Sequence, residues 1–407
     1  MSKIYLENKL QNLQDLSDFL RVYQRDRSEL FKPAPSNLDE KINLDSRINV
    51  MAFYLPQYHQ FELNDGAWGR GFTDWENVTR TYPFFPGHHQ PHQPIDMGYY
   101  DLKNCHVIER QIQLAKYSGI RGFCFHYYSF LGQKIMNEPI DMFLKRPVDR
   151  FNYMINWANE NWSKKWNGGN KDLIIEQIHT PDSDMNFFLE ILPYLRDERY
   201  LKINDKLPIM IYRPALMFPH LPETLSRWRE MAKKEGVGEL LLLRSNFHEF
   251  EFQQLCNDYT FGQDPFDGVV QFPPHGNFDI NHITIPQNLL FNKNYEGRVF
   301  DYVRAANRFL NESAQDSRVF PGVIPSWDNS ARMLEESIVY VNSSPKLYEN
   351  WLEEAIKISV KANKNLVFIN AWNEWAEGAH IEPSSWYGYA HIEATRYATS
   401  NSLNEIQ

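Results

Sequence analysis

Cysteine is scarce in this chain: its 407 residues include only three, Cys105, Cys124 and Cys256. None stands in a Cys-x-x-Cys spacing, which excludes a disulfide framework and a zinc ribbon and fits a reducing compartment. Positive charge is also in deficit, with 42 Lys and Arg against 52 Asp and Glu and a formal net charge of −10. A nucleic-acid surface needs a basic patch, so that class of partner is excluded. No apolar run reaches the roughly 18 residues of a membrane span. The N-terminus, Met-Ser-Lys-Ile-Tyr-Leu-Glu-Asn-Lys, lacks the apolar core of a signal peptide. Glycine-rich dinucleotide and phosphate loops are missing too, which leaves a Rossmann site and a P-loop without support. These absences predict a cytoplasmic chain with no cofactor, no nucleic-acid partner and no transmembrane segment.

Aromatic residues are abundant, with 11 Trp, 22 Tyr and 27 Phe making 15% of the chain. Only Trp228 and Trp351 fall in predicted helices. Trp68, Trp75, Trp157, Trp162, Trp166, Trp327, Trp372, Trp375 and Trp386 fall in loops or just after predicted strands. Core packing alone would not sort them in this way, and a cleft lined for carbohydrate is expected.

Residues 8–24 place Leu10, Leu13, Leu16, Phe19, Leu20 and Tyr23 on one helical face. This predicts an amphipathic extension over 1–46, with a polar linker from Lys32 to Asp45 ahead of the main domain at 47–407. From Arg47 a short apolar strand, a polar or aromatic turn and a helical stretch recur. The predicted strands are Ile48–Tyr54, Gly122–Tyr127, Phe151–Asn156, Pro208–Tyr212, Glu239–Arg244, Gly268–Gln271, Val323–Trp327 and Leu366–Asn370. Predicted helices cover 104–118, 184–197, 222–235, 249–257, 296–311, 346–363 and 391–403. This alternation predicts an α/β fold, a (β/α)8 TIM-like barrel, with long connections after its strands to build a cleft over the mouth.

Candidate chemistry gathers at the strand ends. After Leu366–Asn370 come Trp372, Asn373, Glu374, Trp375, Glu377, Gly378, His380 and Glu382. Two carboxylates three residues apart, flanked by indoles, suit acid/base work at a glycosidic oxygen. The bland alternative, two glutamates opening a helix, leaves the tryptophans and asparagines unexplained. Asn156-Trp-Ala-Asn-Glu-Asn-Trp162 repeats that composition on the third strand, so Glu160 is either a substrate-binding carboxylate or a second catalytic group, beside Trp157, Asn159 and Trp162. Tyr54, Gln57, His59 and Trp75 follow the first strand as hydroxyl-binding and stacking candidates, or as a lid held by aromatic packing. His126, Tyr212, Arg213, Trp327 and Asp328 sit at other strand ends. His88, His89 and His92 lie in a Pro-interrupted loop with no register to converge them, so no metal is expected there. Asp182-Ser-Asp184 reads as a helix cap and not as a metal-diphosphate triplet.

Ala52-Phe-Tyr-Leu-Pro-Gln-Tyr-His59, Gly71-Phe-Thr-Asp-Trp75, Phe85-Pro-Gly-His88, Trp157-Ala-Asn-Glu-Asn-Trp162, Trp327-Asp-Asn329 and Asn370-Ala-Trp-Asn-Glu-Trp-Ala-Glu-Gly378 resemble the WbsX-like family, also described as a glycoside hydrolase family 99-like domain. The resemblance spans roughly residues 47–400. It implies a role on bacterial surface polysaccharide, of O-antigen, lipopolysaccharide or capsule type. Partners would be an oligosaccharide or polysaccharide substrate and, peripherally, a membrane polysaccharide-assembly complex. The more distant family 99 hydrolases are retaining, metal-free endo-α-mannosidases. By that likeness Glu374 is the base that deprotonates a substrate 2-hydroxyl, giving a 1,2-anhydro-sugar, and Glu377 is the acid at the leaving oxygen. Ala376 stands where those hydrolases carry a histidine, which leaves the sugar open. The alternative from another class is a catalytically silent carbohydrate-binding or assembly protein.

Overall fold

A computed structural model describes residues 30–40, 42, 47–146, 151–164, 172–259, 264–275 and 282–401. The predicted helix at 8–24 and Trp166 lie outside them. Nine short parallel strands form a nearly closed barrel in the chain order Asn49–Tyr54, Gly122–Phe130, Asn152–Trp157, Leu207–Ile211, Leu240–Ser245, Gly268–Val270, Val319–Phe320, Gly322–Val323 and Leu366–Ile369. The last strand pairs with the first, Met51 opposite Phe368, and the first with the second, Met51 opposite Gly122. Strands buried on both faces read as unbroken apolar runs, and Leu366–Ile369 is fully buried. Phe53 fills the barrel centre, stacked on Phe368 at 5.3 Å and tilted against Phe272 at 4.8 Å.

The seventh strand differs from its predicted span of 323–327. It runs earlier and is broken at Pro321, which has no N–H to give to a ladder. Val319–Phe320 pairs with the sixth strand, whereas Gly322–Val323 pairs with the last. Gln271 bridges the break by accepting from the Gly322 N–H at 3.2 Å. Trp327–Asp328 instead joins an antiparallel pair with Ile338–Val341.

The surrounding helices begin where the chain supplies caps. Asn104, Asp301 and Ser344 accept from the first-turn N–H groups of Cys105–Tyr117, Tyr302–Gln315 and Pro345–Lys361. Pro181–Leu195 is capped by Thr180, with Ser183 completing a capping box. Capping at this helix start therefore falls to Thr180 and Ser183 and not to the aspartates. Asp184 turns inward instead, accepting from His179 and Thr224.

The described part of the expected linker is not free. Lys32 exchanges backbone hydrogen bonds with Tyr387 and Tyr389, and Arg396 pairs with Glu40. No helix among the described residues is long and apolar enough to cross a membrane.

At Gly322 an added Cβ would stand 2.2 Å from the Gln271 carbonyl oxygen. Gly322→Val raises local strand propensity yet forces the two strands apart. It should lower stability by about 1–3 kcal/mol, the usual cost of overpacking, read as a lower denaturation midpoint at unchanged m-value.

Candidate active site

The loop after the last strand doubles back on itself. Asn373–Glu374 pairs antiparallel with Ala379–His380, and between them Trp375–Glu377 forms one 3-10 turn. Side chains three apart eclipse in such a turn, so Glu374 and Glu377 emerge on one side. Gly378 closes the turn at φ 59°, a left-handed conformation favourable to glycine, with the Asp328 backbone and Cβ within 3.4 Å of where a Cβ would lie. Ser326 Oγ donates to the Gly378 carbonyl. The pair does not open a helix.

The hairpin is anchored from below. The Asn373 amide exchanges two hydrogen bonds with the Leu55 backbone, at 2.8 and 2.9 Å, and Asn370 donates to the Pro273 carbonyl at 2.7 Å. Buried Glu382 accepts from the indoles of Trp372 and Trp375 at 3.0 and 2.7 Å, from Gln111 at 2.7 Å and from Tyr100 at 2.8 Å.

Both glutamates meet one cation. Arg332, on the short helix Ser330–Met333, donates at 2.8 Å to each of Glu374 and Glu377, and at 2.6 Å to Asp74. Burial pushes the Glu374 carboxyl well above the usual carboxylate range, and Arg332 only partly offsets this while Glu377 and Asp74 add to it. Glu377 is raised in the same direction, again chiefly by burial against the pull of Arg332. Its side chain is 23% exposed against 5% for Glu374, so desolvation weighs more on Glu374.

These groups line a cavity of about 340 Å³ at the C-terminal ends of the strands, with Gln57, His126, Tyr128, Glu160, Trp162, Tyr212, Arg213, Phe247, Phe272 and His275. Glu160 is paired with Arg213 at 3.0 Å, and Asn159 holds Arg213 through its backbone. His126 faces the cavity as a neutral donor. The Asn156 amide reaches its Nδ1 at 3.3 Å, which leaves the proton on Nε2, and burial with Arg332 nearby pushes its pKa down to about 3. Nε2 has no partner among the described residues.

Other candidates lie behind this lining. Tyr54 donates to Gln111, and His59 pairs with Glu138 at 3.1 Å. Trp157 stacks on Phe187 at 3.8 Å, and Trp375 on His380 at 3.6 Å. Trp75 and Trp327 are buried, and Asp328 bonds His88 at 2.6 Å. Thus Trp75, Trp157, Trp327 and Trp375 are buried, Trp75 opening a short helix, and Trp162 alone among the tryptophans expected at substrate lines this cavity. His89 stacks on Trp386 and on His92 at 4.6 Å, His92 also meets His380, and His88 bonds Asp328.

Sequence reasoning passed over Arg332 and Asp74. Arg332 follows Trp327-Asp-Asn329 by three residues and Asp74 lies inside Gly71-Phe-Thr-Asp-Trp75, so both were signalled only by their nearness to motifs.

The family described as Glycosyltransferase WbsX matches residues 50–395. The chain belongs to the WbsX family. It is 36% identical over 357 residues to the uncharacterized protein WxcX of Xanthomonas campestris pv. campestris, in strains B100 and ATCC 33913, covering 87% of this chain and 50% of theirs. The chain thus spans about half the length of the curated relatives it matches. Among solved structures, the fold of this WbsX member is similar to a GH99 endo-alpha-mannosidase from Bacteroides thetaiotaomicron (TM-score 0.51, 13% identity, 89% of this chain and 99% of that one). It is also similar to a glycoside hydrolase-like protein (TM-score 0.54, 16% identity, 92% and 99%).

Glu382 offers a pH test of the anchor. Burial pushes its carboxyl from 4.5 up to about 7 despite its four donors. A pKa raised on folding means that stability is fully present below 4.5 and is lost as pH rises through about 7. The stability of the native chain relative to Glu382→Gln, read from paired melting curves, should therefore fall across that window. At about pH 5 the variant should be less stable by about 1–3 kcal/mol, because its amide must face an indole or amide donor.

Proposed function

We propose that this WbsX family member cleaves or transfers glycosidic bonds of a bacterial surface polysaccharide or its lipid-linked precursor, with Glu374 and Glu377 as its catalytic residues. The observation that carries this reading is the placement of two raised-pKa glutamates on one side of a single turn, at the mouth of the barrel, on one arginine. Carboxyls with raised pKa values can hold a proton at neutral pH and deliver it to a leaving oxygen. Glu374, the deeper and more desolvated, is the stronger base in the fraction of the pair whose proton sits on Glu377, and there it takes the proton of the substrate 2-hydroxyl as that oxygen closes on the anomeric carbon. Glu377, nearer solvent, protonates the leaving oxygen and then activates water or an acceptor hydroxyl. Glu160 binds substrate from across the cavity, its charge offset by Arg213. His126 and Gln57 hydrogen-bond hydroxyls, and Trp162 and Tyr212 supply apolar faces. On this reading the chain works in the cytoplasm beside a membrane assembly complex that holds the lipid-linked substrate.

A binding-only protein has less support. Such a protein displays aromatic faces, whereas Trp157, Trp327, Trp372 and Trp375 are enclosed. Binding alone also has no use for two carboxyls desolvated against one cation.

Incubation with the host's purified polysaccharide and its lipid-linked precursor, with and without nucleotide sugars, should give mass-shifted products. Glu374→Gln and Glu377→Gln, which keep volume and lose the titratable oxygen, should each lower the rate by about 10² to 10⁴ while the chain still folds. A variant with native turnover would remove that residue from the mechanism.

A further inference from the structure

Among the described residues Arg332 is the one basic side chain bonded to both glutamates, and each is held by a different nitrogen. Its NH2 group serves Glu374, Asp74 and Gln57, at 2.8, 2.6 and 3.2 Å, and its NH1 group serves Glu377 at 2.8 Å. We propose that Arg332 is a positioning residue that fixes the number of protons on the Glu374–Glu377 pair at one and lets that proton change sides without moving the guanidinium.

The inference rests on the function proposed above and adds the device that couples its two proton transfers. In the first half-reaction the substrate O2–H bond breaks and its proton passes to Glu374. O2 forms a bond to C1, the C1–leaving-oxygen bond breaks, and that oxygen takes the proton of Glu377. The pair holds one proton before and one after, and the negative charge has moved from Glu374 to Glu377. In the second half-reaction water or an acceptor hydroxyl gives its proton to Glu377 and bonds to C1. The C1–O2 bond opens, and O2 recovers the proton from Glu374. A cation fixed to only one carboxylate would favour one half-reaction and oppose the other. A planar fork bonded to both stabilises the charge in either place, which a point charge cannot do.

Other charged and titratable groups also face Arg332 and the pair, among them Tyr212, which burial raises well above its ordinary range. Asp74 enters from the start of the helix Trp75–Arg80, whose other charged residues, Glu76 and Arg80, are exposed. Tyr58 and Tyr128 are pushed far up by burial, and His126 is pushed down to about 3 by burial and by Arg332. Beyond Arg332, Glu335 turns away to bond Asn292.

The test is a titration of the full chain carrying ¹³C at its glutamate carboxyls, which leaves Asp74 silent. Glu374→Gln and Glu377→Gln assign the two signals. In the native chain the pair should hold one proton through the neutral range. An adjacent cation ordinarily lowers a carboxylate pKa by about 1–3 units, so Arg332→Met should raise the lower midpoint of the pair by about that much, roughly 10- to 1,000-fold in proton affinity. Arg332→Lys should give an intermediate shift, and it carries the test alone if the Met variant fails to fold. A native pair that holds no proton or two through the neutral range would overturn the proposal, and so would native midpoints in either variant. The two readings separate cleanly. Shifted midpoints with no product from any polysaccharide would retire the glycosidic reaction and leave the clamp. Product formation with unmoved midpoints would retire the clamp alone.

Discussion

One buried guanidinium facing three carboxylates is the constraint on which the barrel mouth depends. Leaving any of Asp74, Glu374 or Glu377 ionised in this setting without Arg332 would strand a desolvated charge, a loss of about 3–5 kcal/mol when one partner of a buried pair is removed. Arg332 must therefore be held, and the structure around it reads as a set of fixings. Its short helix starts beside Asp328, which burial alone would raise but which His88 holds down to about 2. His88 is itself aimed by the Phe84 N–H, which donates to its Nδ1 at 2.9 Å and leaves Nε2 to donate to Asp328. The side chain of Asn329 receives the Ile338 N–H at 2.7 Å and so ties that helix to the antiparallel strands.

A second set of fixings serves the carboxylates. The hairpin after the last strand is pinned to the first by Asn373 and carried by the Glu382 hub beneath it. This explains the peculiar placement of the tryptophans. Indoles enclose large apolar area and still have one N–H to aim, so Trp372 and Trp375 can pack the interior and orient a carboxylate at once. The cavity wall is built from other groups: His126, Glu160 with Arg213, and the phenol and phenyl rings of Tyr212 and Phe247, stacked at 5.0 Å.

Much of this was legible in the chain. Strands such as Leu366–Ile369 declare themselves because burial on both faces demands unbroken apolar residues, and most helices by their apolar spacing, but the helix expected over 296–311 starts only at Tyr302, after the strand Arg298–Asp301. The position of Glu374 and Glu377 at the barrel mouth was legible because both directly follow a buried strand. The seventh strand was placed too late because two two-residue pieces around Pro321 carry too little periodicity to stand out from Val323–Trp327, which is itself interrupted by Pro325. The tryptophans misled because sequence position tells loop from helix but not inside from outside. Arg332 was invisible for a simpler reason: an arginine in a loop is ordinary until its partners, 258 residues before it and 42 residues after it, are brought against it.

The account turns on the substrate's own 2-hydroxyl being the nucleophile, with the protein supplying only proton transfer and charge. In the ordinary retaining scheme an enzyme carboxylate about 5 Å from the acid attacks instead and becomes a glycosyl ester. The most direct measurement presents the enzyme with a substrate whose 2-hydroxyl is replaced by fluorine, and follows binding by calorimetry and the intact protein by mass spectrometry. The account predicts binding, no turnover and an unchanged protein mass. A glycosyl ester trapped on Glu160, Glu374 or Glu377 would contradict it.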